Sequence, residues 1–484
     1  MLTLDLRPGR SLCQQIYEQL RAAILTGRVQ SRQRLPSSRA LAQTLNVSRT
    51  TVVDSYDQLI SEGYLETRPG SGTYVSAQLP DVLLSAQTER DDSADNRSEA
   101  FTPQGASLPA AAWSDYGDRL ATTADYAFPD QYPLSFRYGV PALDHFPQEQ
   151  WRRLWSRQCS AGLDWMGYSA EPMGYKPLRV AIASYIRQMR AVRCTPEQIL
   201  ITNGSQQAIG LITRLLVNPG EGVAIEDPGY LGARKIFQAH RARIVPVAVD
   251  AEGLQVEGAA EAPTIQGLSA IAQRISQPIK LPIKLVYVTP SHQFPTGVLM
   301  SVARRLALLN WAEQTGSWIV EDDYDSEFRY AGRPVPALQG LAPNARVLYV
   351  GTFSKVMFPG LRIGYIVLPP ALVPVFRRAK WLSDRQGSLI DQATLSEFMS
   401  QGHLAKHVRR MRGIYGQRRH LLVEKLRSLS HKFGTVNILG DAAGLHIMAR
   451  FTAQTSQIPC QQTLVEQARH QGVELFGAHK HYYR

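Results

Sequence analysis

Five consecutive residues, Gly351-Thr352-Phe353-Ser354-Lys355, put two hydroxyls and a primary amine on one short turn, and Arg362 follows seven positions later. A lysine amine condenses with a carbonyl to a Schiff base, while hydroxyls and a guanidinium hold a phosphate through charge-assisted hydrogen bonds. The set therefore suits capture of an aldehyde that also carries an anion, and pyridoxal phosphate bears both groups. The apolar run Val347-Leu348-Tyr349-Val350 ahead of the turn reads as a buried strand that delivers the lysine to a glycine-rich bend.

The elements around this turn have the same logic. From about Phe136 short apolar strands alternate with helical stretches, the pattern of an α/β domain. Residues 199–202 read as a strand, and Asn203-Gly204-Ser205-Gln206 turns into a helix. Backbone amides at a helix N-terminus attract phosphate, which makes Gly204, Ser205 and Gln206 half of an anion cup. Residues 223–227 form a strand that ends before Tyr230, and residues 285–288 a strand before Ser291-His292-Gln293-Phe294-Pro295-Thr296-Gly297; between them, Val256 to Lys284 reads as a variable insertion or loop with no assigned role. Residues 318–323 are a buried strand ending in carboxylates, which is costly unless a cation meets them. A pyridinium nitrogen is such a cation, and keeping it protonated makes the ring an electron sink. Residues two apart on an extended segment share a face, so Asp322 can pair with the ring nitrogen while Tyr324 reaches the phenolate oxygen and Asp323 turns away.

These motifs, in this order, resemble the fold type I pyridoxal-phosphate enzymes, the aminotransferase-like group, and match most closely the MocR branch of GntR-type transcription regulators. The resemblance implies that Lys355 forms the Schiff base, that Thr352, Ser354 and Arg362 contact the phosphate, and that Tyr230 stacks on the pyridine. Many aminotransferases carry an asparagine before Pro-x-Gly that bonds the phenolate oxygen. Phe294 stands there in this chain, as in the "SHQFPTG" form of the MocR branch, which leaves that role to His292, to Gln293 or to no residue. Relatives continue past the position of Arg484 with elements that supply the arginine for a substrate carboxylate. The C-terminal end thus reads as short, Arg484 is the remaining candidate, and little or no turnover is expected.

The first 75 residues form a separate unit. Leu12, Ile16, Leu20, Ala23 and Ile24 share a helical face; Ser37 opens a second helix and Ser48 a third, running to about Glu62 and stopped by Gly63. Two alternating runs around Pro69-Gly70-Ser71-Gly72 follow as a wing. The "LPSSRALA" and "SRTTV" stretches resemble the GntR winged helix-turn-helix, whose recognition helix enters the major groove by its first turn. That resemblance implies a DNA-binding set of Arg39, Ser48, Arg49, Thr50, Thr51 and Arg68.

The fold class expected is an N-terminal winged helix-turn-helix (1–75), a flexible linker (76–135) and a fold type I aminotransferase-like α/β domain (136–484). A net charge of +12 favours a polyanionic partner, and the basic run from Lys406 to Arg419 is a candidate second DNA surface. The four cysteines have no metal-ligand spacing, so no metal is expected, and the sequence holds neither an export signal nor an apolar run long enough to span a membrane, which points to the cytoplasm. The reading is a homodimeric transcription regulator that binds double-stranded operator DNA and whose pyridoxal phosphate senses an amine, an amino acid or a B6 vitamer. Its rival is a working aminotransferase with an accessory DNA-binding domain.

Overall fold

The computed structural model describes residues 4–6, 10–79, 113–121, 134–162, 167–168, 171–257, 267–275, 282–332, 335–343, 345–429, 435–452 and 460–483. The chain divides into two compact units, 1–107 and 108–484.

In the first unit, α1 (Leu12–Leu25), α2 (Ser38–Leu45) and α3 (Arg49–Ser61) precede an antiparallel hairpin of β1 (Leu65–Arg68) and β2 (Gly72–Val75). Each helix begins after a serine whose side chain accepts a backbone N–H: Ser11 from Gln14, Ser37 from Ala40 and Ser48 from Thr51. Asn46, at φ 52°, closes α2 in the left-handed conformation that short polar side chains tolerate. Ile16, Leu20, Leu41, Val52, Leu59 and Val75 meet in one core, so the three amphipathic helices and the hairpin are held by a shared apolar centre. Ser48→Ala removes a cap that contributes about 1 kcal/mol, and amide exchange in the first turn of α3 should accelerate about fivefold with the rest of the unit little changed.

The second unit begins, in its described residues, with the helix Asp115–Ala121 and the two-residue strand β3 (Leu134–Ser135). An eight-stranded sheet follows, in the spatial order β4 (Ile199–Thr202), β11 (Gly364–Val367), β10 (Val347–Thr352), β9 (Trp318–Asp323), β8 (Ile283–Val288), β5 (Gly222–Asp227), β6 (Arg243–Asp250) and β7 (Gly253–Leu254). Strands β10, β9, β8, β5 and β6 run parallel, while β11 lies antiparallel between β10 and β4. The central strands are near-continuous apolar runs because helices cover both faces of the sheet. Their carboxyl ends gather on one edge, the place where open α/β sheets hold ligands. Beyond the sheet, β12 (Thr435–Leu439) pairs with β13 (Met448–Thr452), and β14 (Val473–Glu474) returns to pair in parallel with β3.

Four expectations meet the structure here. The stretch from Val256 to Lys284 is not all loop: Leu268–Ile275 is a helix whose Leu268 is buried against Val245 and Val256, and Ile283 and Lys284 belong to β8. Of the 76–135 segment, residues 80–112 and 122–133 lie outside the described residues, while Asp115–Ala121 is helical and Arg119 Nε donates to Ala239 O at 2.9 Å. The basic run sits on the long helix His403–Ser428, where Arg409 and Arg410 are exposed but Arg412 donates to Glu327 O and Arg419 to Asp441 O. Arg484 lies outside the described residues.

Candidate functional site

The end of β9 sets the electrostatic problem. Glu321, Asp322 and Asp323 follow one another, all buried. Glu321 accepts the backbone N–H groups of Leu338 and Gln339 at 2.9 and 3.1 Å and lies 3.6 Å from Arg305. Asp323, turned away as the two-residue period requires, takes Arg190 Nε at 2.7 Å and the Tyr349 hydroxyl at 2.6 Å. Asp322 takes the Tyr287 hydroxyl on Oδ2 at 2.5 Å, and its Oδ1 has no hydrogen-bond partner among the described residues. Burial raises the Asp322 carboxyl to about 7. A buried carboxylate oxygen left open on this strand end is an acceptor for a cationic N–H.

Lys355 follows β10, the next strand in the sheet. Its Nζ donates to Gly139 O at 2.7 Å. Burial lowers the pKa of its amine, against the attraction of Asp325 and Asp322, and Arg137 adds to the lowering. A depressed lysine holds more neutral amine, the form that attacks a carbonyl. Thr352, the last residue of β10, accepts the Ser354 N–H on Oγ1 at 3.2 Å, which folds the two hydroxyl residues into one tight turn.

The anion cradle forms where β4 ends. Gly204, at φ 81°, is the residue before the helix Ser205–Leu216, and Thr202 Oγ1 donates to its carbonyl at 3.0 Å. Arg362 Nη2 donates to Asn203 O at 2.9 Å, and a Cβ on Gly204 would stand only 3.0 Å from that same nitrogen. Glycine is thus required both by the backbone angle and by the close guanidinium. Gln206 Nε2 donates to the Tyr230 hydroxyl at 2.7 Å, tying the first turn of this helix to the loop after β5.

Phe294 packs among rings from several segments: Tyr138, Tyr230, Tyr324, His446 and His481, at centroid distances of 5.4, 5.7, 6.2, 5.2 and 5.0 Å. The neighbouring polar residues are engaged by the protein. Tyr324 donates to His292 O at 2.7 Å, His292 Nδ1 lies 3.0 Å from Asp325 Oδ2, and Gln293 Nε2 donates to Pro228 O at 2.8 Å. His292, Asp325 and His446 bring ligand-type atoms within 4.8 Å of one another. Sequence reading did not single out Asp325, His446, Tyr287, Arg190 or Gly139. Asp325 had a signal in the acidic run at 321–327, whereas the others arrive from distant parts of the chain.

In the first unit, Arg39, Ser48, Arg49, Thr50 and Arg68 are exposed and Thr51 is half-buried. Arg49 Nε reaches Ser38 Oγ at 3.4 Å, which brings the start of the third helix against the second. Ser48 Oγ and Thr51 Oγ1 share a hydrogen bond of 2.7 Å, and Arg68 pairs with Glu66 at 2.6 Å while lying over the Tyr74 ring.

Residues 12–75 match the family of bacterial regulatory proteins named gntR, and residues 157–473 match aminotransferase class I and II. The chain is 38% identical over 454 residues, 93% of its own length and 84% of the relative's, to the probable rhizopine catabolism regulatory protein MocR of Rhizobium meliloti. The chain belongs to the MocR branch of the GntR-type regulators. Another MocR-type relative is the pyridoxine biosynthesis transcriptional regulator PdxR of Corynebacterium glutamicum, 31% identical over 88% of this chain and 82% of that protein. Among solved structures, the kynurenine aminotransferase of Pyrococcus horikoshii is 28% identical, with a TM-score of 0.64 over 73% of this chain and 83% of that one. The large unit of this MocR-type chain therefore has the fold of class I and II aminotransferases, with Lys355, Asp322 and the Gly204–Arg362 contact at the ends of its sheet strands.

The residues present fit pyridoxal phosphate. Lys355 offers an amine for the aldehyde, Gly204 and Ser205 at a helix start beside Arg362 and Thr352 with Ser354 on the Lys355 turn offer donors for a phosphate, and Asp322 Oδ1 is an unfilled acceptor for the ring N–H.

Proposed function

We propose that this MocR-type chain is a cytoplasmic, homodimeric transcription regulator that reads operator DNA through α2, α3 and the β1–β2 wing and senses an amine, an amino acid or a B6 vitamer through pyridoxal phosphate on Lys355. The observation that carries the reading is the open Oδ1 of Asp322 in a chain that also holds a winged helix. The domain scheme 1–75, 76–135 and 136–484 goes with it. The naming of the Corynebacterium relative for pyridoxine biosynthesis supports a B6-linked signal. When bound, pyridoxal phosphate supplies a carbonyl that exchanges reversibly between amines, backed by an electron-accepting ring.

The protein's own residues do the rest. Asp322 holds the ring nitrogen protonated, while the Gly204–Gln206 turn and Arg362, with Thr352 and Ser354, fix the phosphate. Tyr230 covers the ring, with its hydroxyl anchored by Gln206. Tyr324 would reach the phenolate oxygen by turning its one hydroxyl proton away from the His292 carbonyl. Lys355 would hold the cofactor's carbonyl carbon, and a ligand that binds one arrangement of the regulator better than another shifts its population.

The test uses the purified full chain with added pyridoxal phosphate and the DNA upstream of its own gene. Expected are a Schiff-base absorbance band, borohydride fixation at Lys355, and a footprint that changes when an amine or vitamer is added. Steady turnover of an amino donor and a keto acid, with a footprint insensitive to either, would replace this reading with the enzyme. Arg49→Ala should lower the slope of log affinity against log salt by about 0.9, the contribution of one phosphate contact, and leave the absorbance band intact.

A further inference from the structure

We propose that Gly139 is a positioning residue for Lys355 and that the strap from Leu134 to Val140 reports whether this amine is free or condensed. The inference rests on the reading of Lys355 as the Schiff-base lysine. The strap lies in sequence between the winged helix and the large sheet, and it crosses directly over the reactive amine: Lys355 Nζ donates to Gly139 O at 2.7 Å. Glycine is favoured at the position. Gly139 has φ +67°, and a Cβ there would stand 2.9 Å from Nζ.

On either side of Gly139 the strap is tied to other parts of the unit. Phe136 N donates to Glu474 O at 3.0 Å beside the β3–β14 pairing, and Ala142 N donates to the Tyr415 hydroxyl at 2.9 Å. Tyr138 packs edge-on against Phe476 at 5.3 Å and tilted against Phe294 at 5.4 Å. Lys355 adds a tie from the reactive centre in the middle of this span.

Condensation alters that tie by stoichiometry. A neutral lysine amine and an aldehyde give a C=N bond and water, so both amine hydrogens leave with the carbonyl oxygen. Of the three rotatable donors on an ammonium, the condensed nitrogen retains none, or one after protonation that is fixed in the C=N plane. Gly139 O thereby loses a freely turning donor, and the strap loses a constraint. The charged and titratable groups that face Nζ are Asp325 and Asp322, which favour the ammonium, and Arg137, which opposes it, with the His446 imidazole near enough to feel the lysine charge. A carbonyl acceptor at 2.7 Å adds to the first side.

Hydrogen exchange of the strap peptide in the full chain tests the contact. Without cofactor, Lys355→Met should exchange roughly three- to tenfold faster over residues 134–140 than the unaltered protein, the effect of one lost hydrogen bond. Unchanged exchange overturns the proposal whether or not any cofactor binds. In the unaltered protein, adding pyridoxal phosphate should produce the same acceleration as the Schiff-base band grows. A full band over an unchanged strap overturns the reporting role, whereas no band at all refutes the Lys355 assignment and leaves the Lys355→Met comparison to decide the contact. Gly139→Ala, which displaces the acceptor, should move the pH midpoint of Schiff-base formation downward. An unmoved midpoint would reduce Gly139 to packing.

Discussion

Arg190→Ala is expected to destabilise the large unit by about 3–5 kcal/mol, read as a loss of urea stability in the full chain. Arg190 is 8% exposed and makes its ion pair to Asp323 at 2.7 Å, a hydrogen bond to Val335 O at 2.9 Å and a short contact to Ser291 Oγ. Truncation leaves the Asp323 carboxylate inside the protein with the Tyr349 hydroxyl, at 2.6 Å, as its remaining hydrogen-bond donor among the described residues, and a buried charge without its counter-ion is far costlier than a missing pair. The double variant Arg190→Met, Asp323→Leu should recover most of the loss. If Arg190→Ala cost less than about 1 kcal/mol, the pair would not be the brace of the β9 end that its geometry describes.

Asp322→Asn should have opposite effects on the two states of the site. Burial holds the folded Asp322 near 7, above the ordinary aspartate value of about 4. Below about 4 both folded and unfolded chains carry the proton and the group is neutral to stability. Between about 4 and 7 the folded protein keeps a proton that the unfolded chain has released, so stability falls as pH rises, and above about 7 the full cost of the buried charge is present. Asparagine removes this cost while still accepting the Tyr287 hydroxyl. The cofactor-free variant should therefore gain about 1–3 kcal/mol at pH 8 and gain little at pH 4, with denaturation measured at both. Pyridoxal phosphate should bind on the order of 100-fold more weakly, because the ring N–H loses its charged acceptor. A variant that bound the cofactor as well as the parent would remove Asp322 from the site.

What could be read from the chain follows the range of the forces involved. Ser37 and Ser48 announce helix starts because a cap acts over three residues, and the observed helices begin one residue after each. The alternation of Asp322 and Asp323 was legible because strand geometry is local and period-two. Gly139 was not, since its meaning is a carbonyl delivered to a lysine 216 residues later. Arg190 and Tyr287 likewise looked like ordinary helix and strand residues until Asp323 and Asp322 were set beside them. Phe294, flagged as a departure from asparagine, proved to be the centre of a ring cluster drawn from five other parts of the chain. Leu268–Ile275 was missed because its stripe is only eight residues long, although Pro278 three residues on was a stop signal.

The pairing of β3 with β14 bears on how the protein is made. Ser135 bonds Glu474 across 339 residues, so the strap that carries Gly139 cannot pair with β14 until residues 473 and 474 have left the ribosome. The winged helix, by contrast, closes its core within the first 75 residues. A nascent chain thus acquires its winged helix well before residue 474 emerges to hold the segment that meets Lys355.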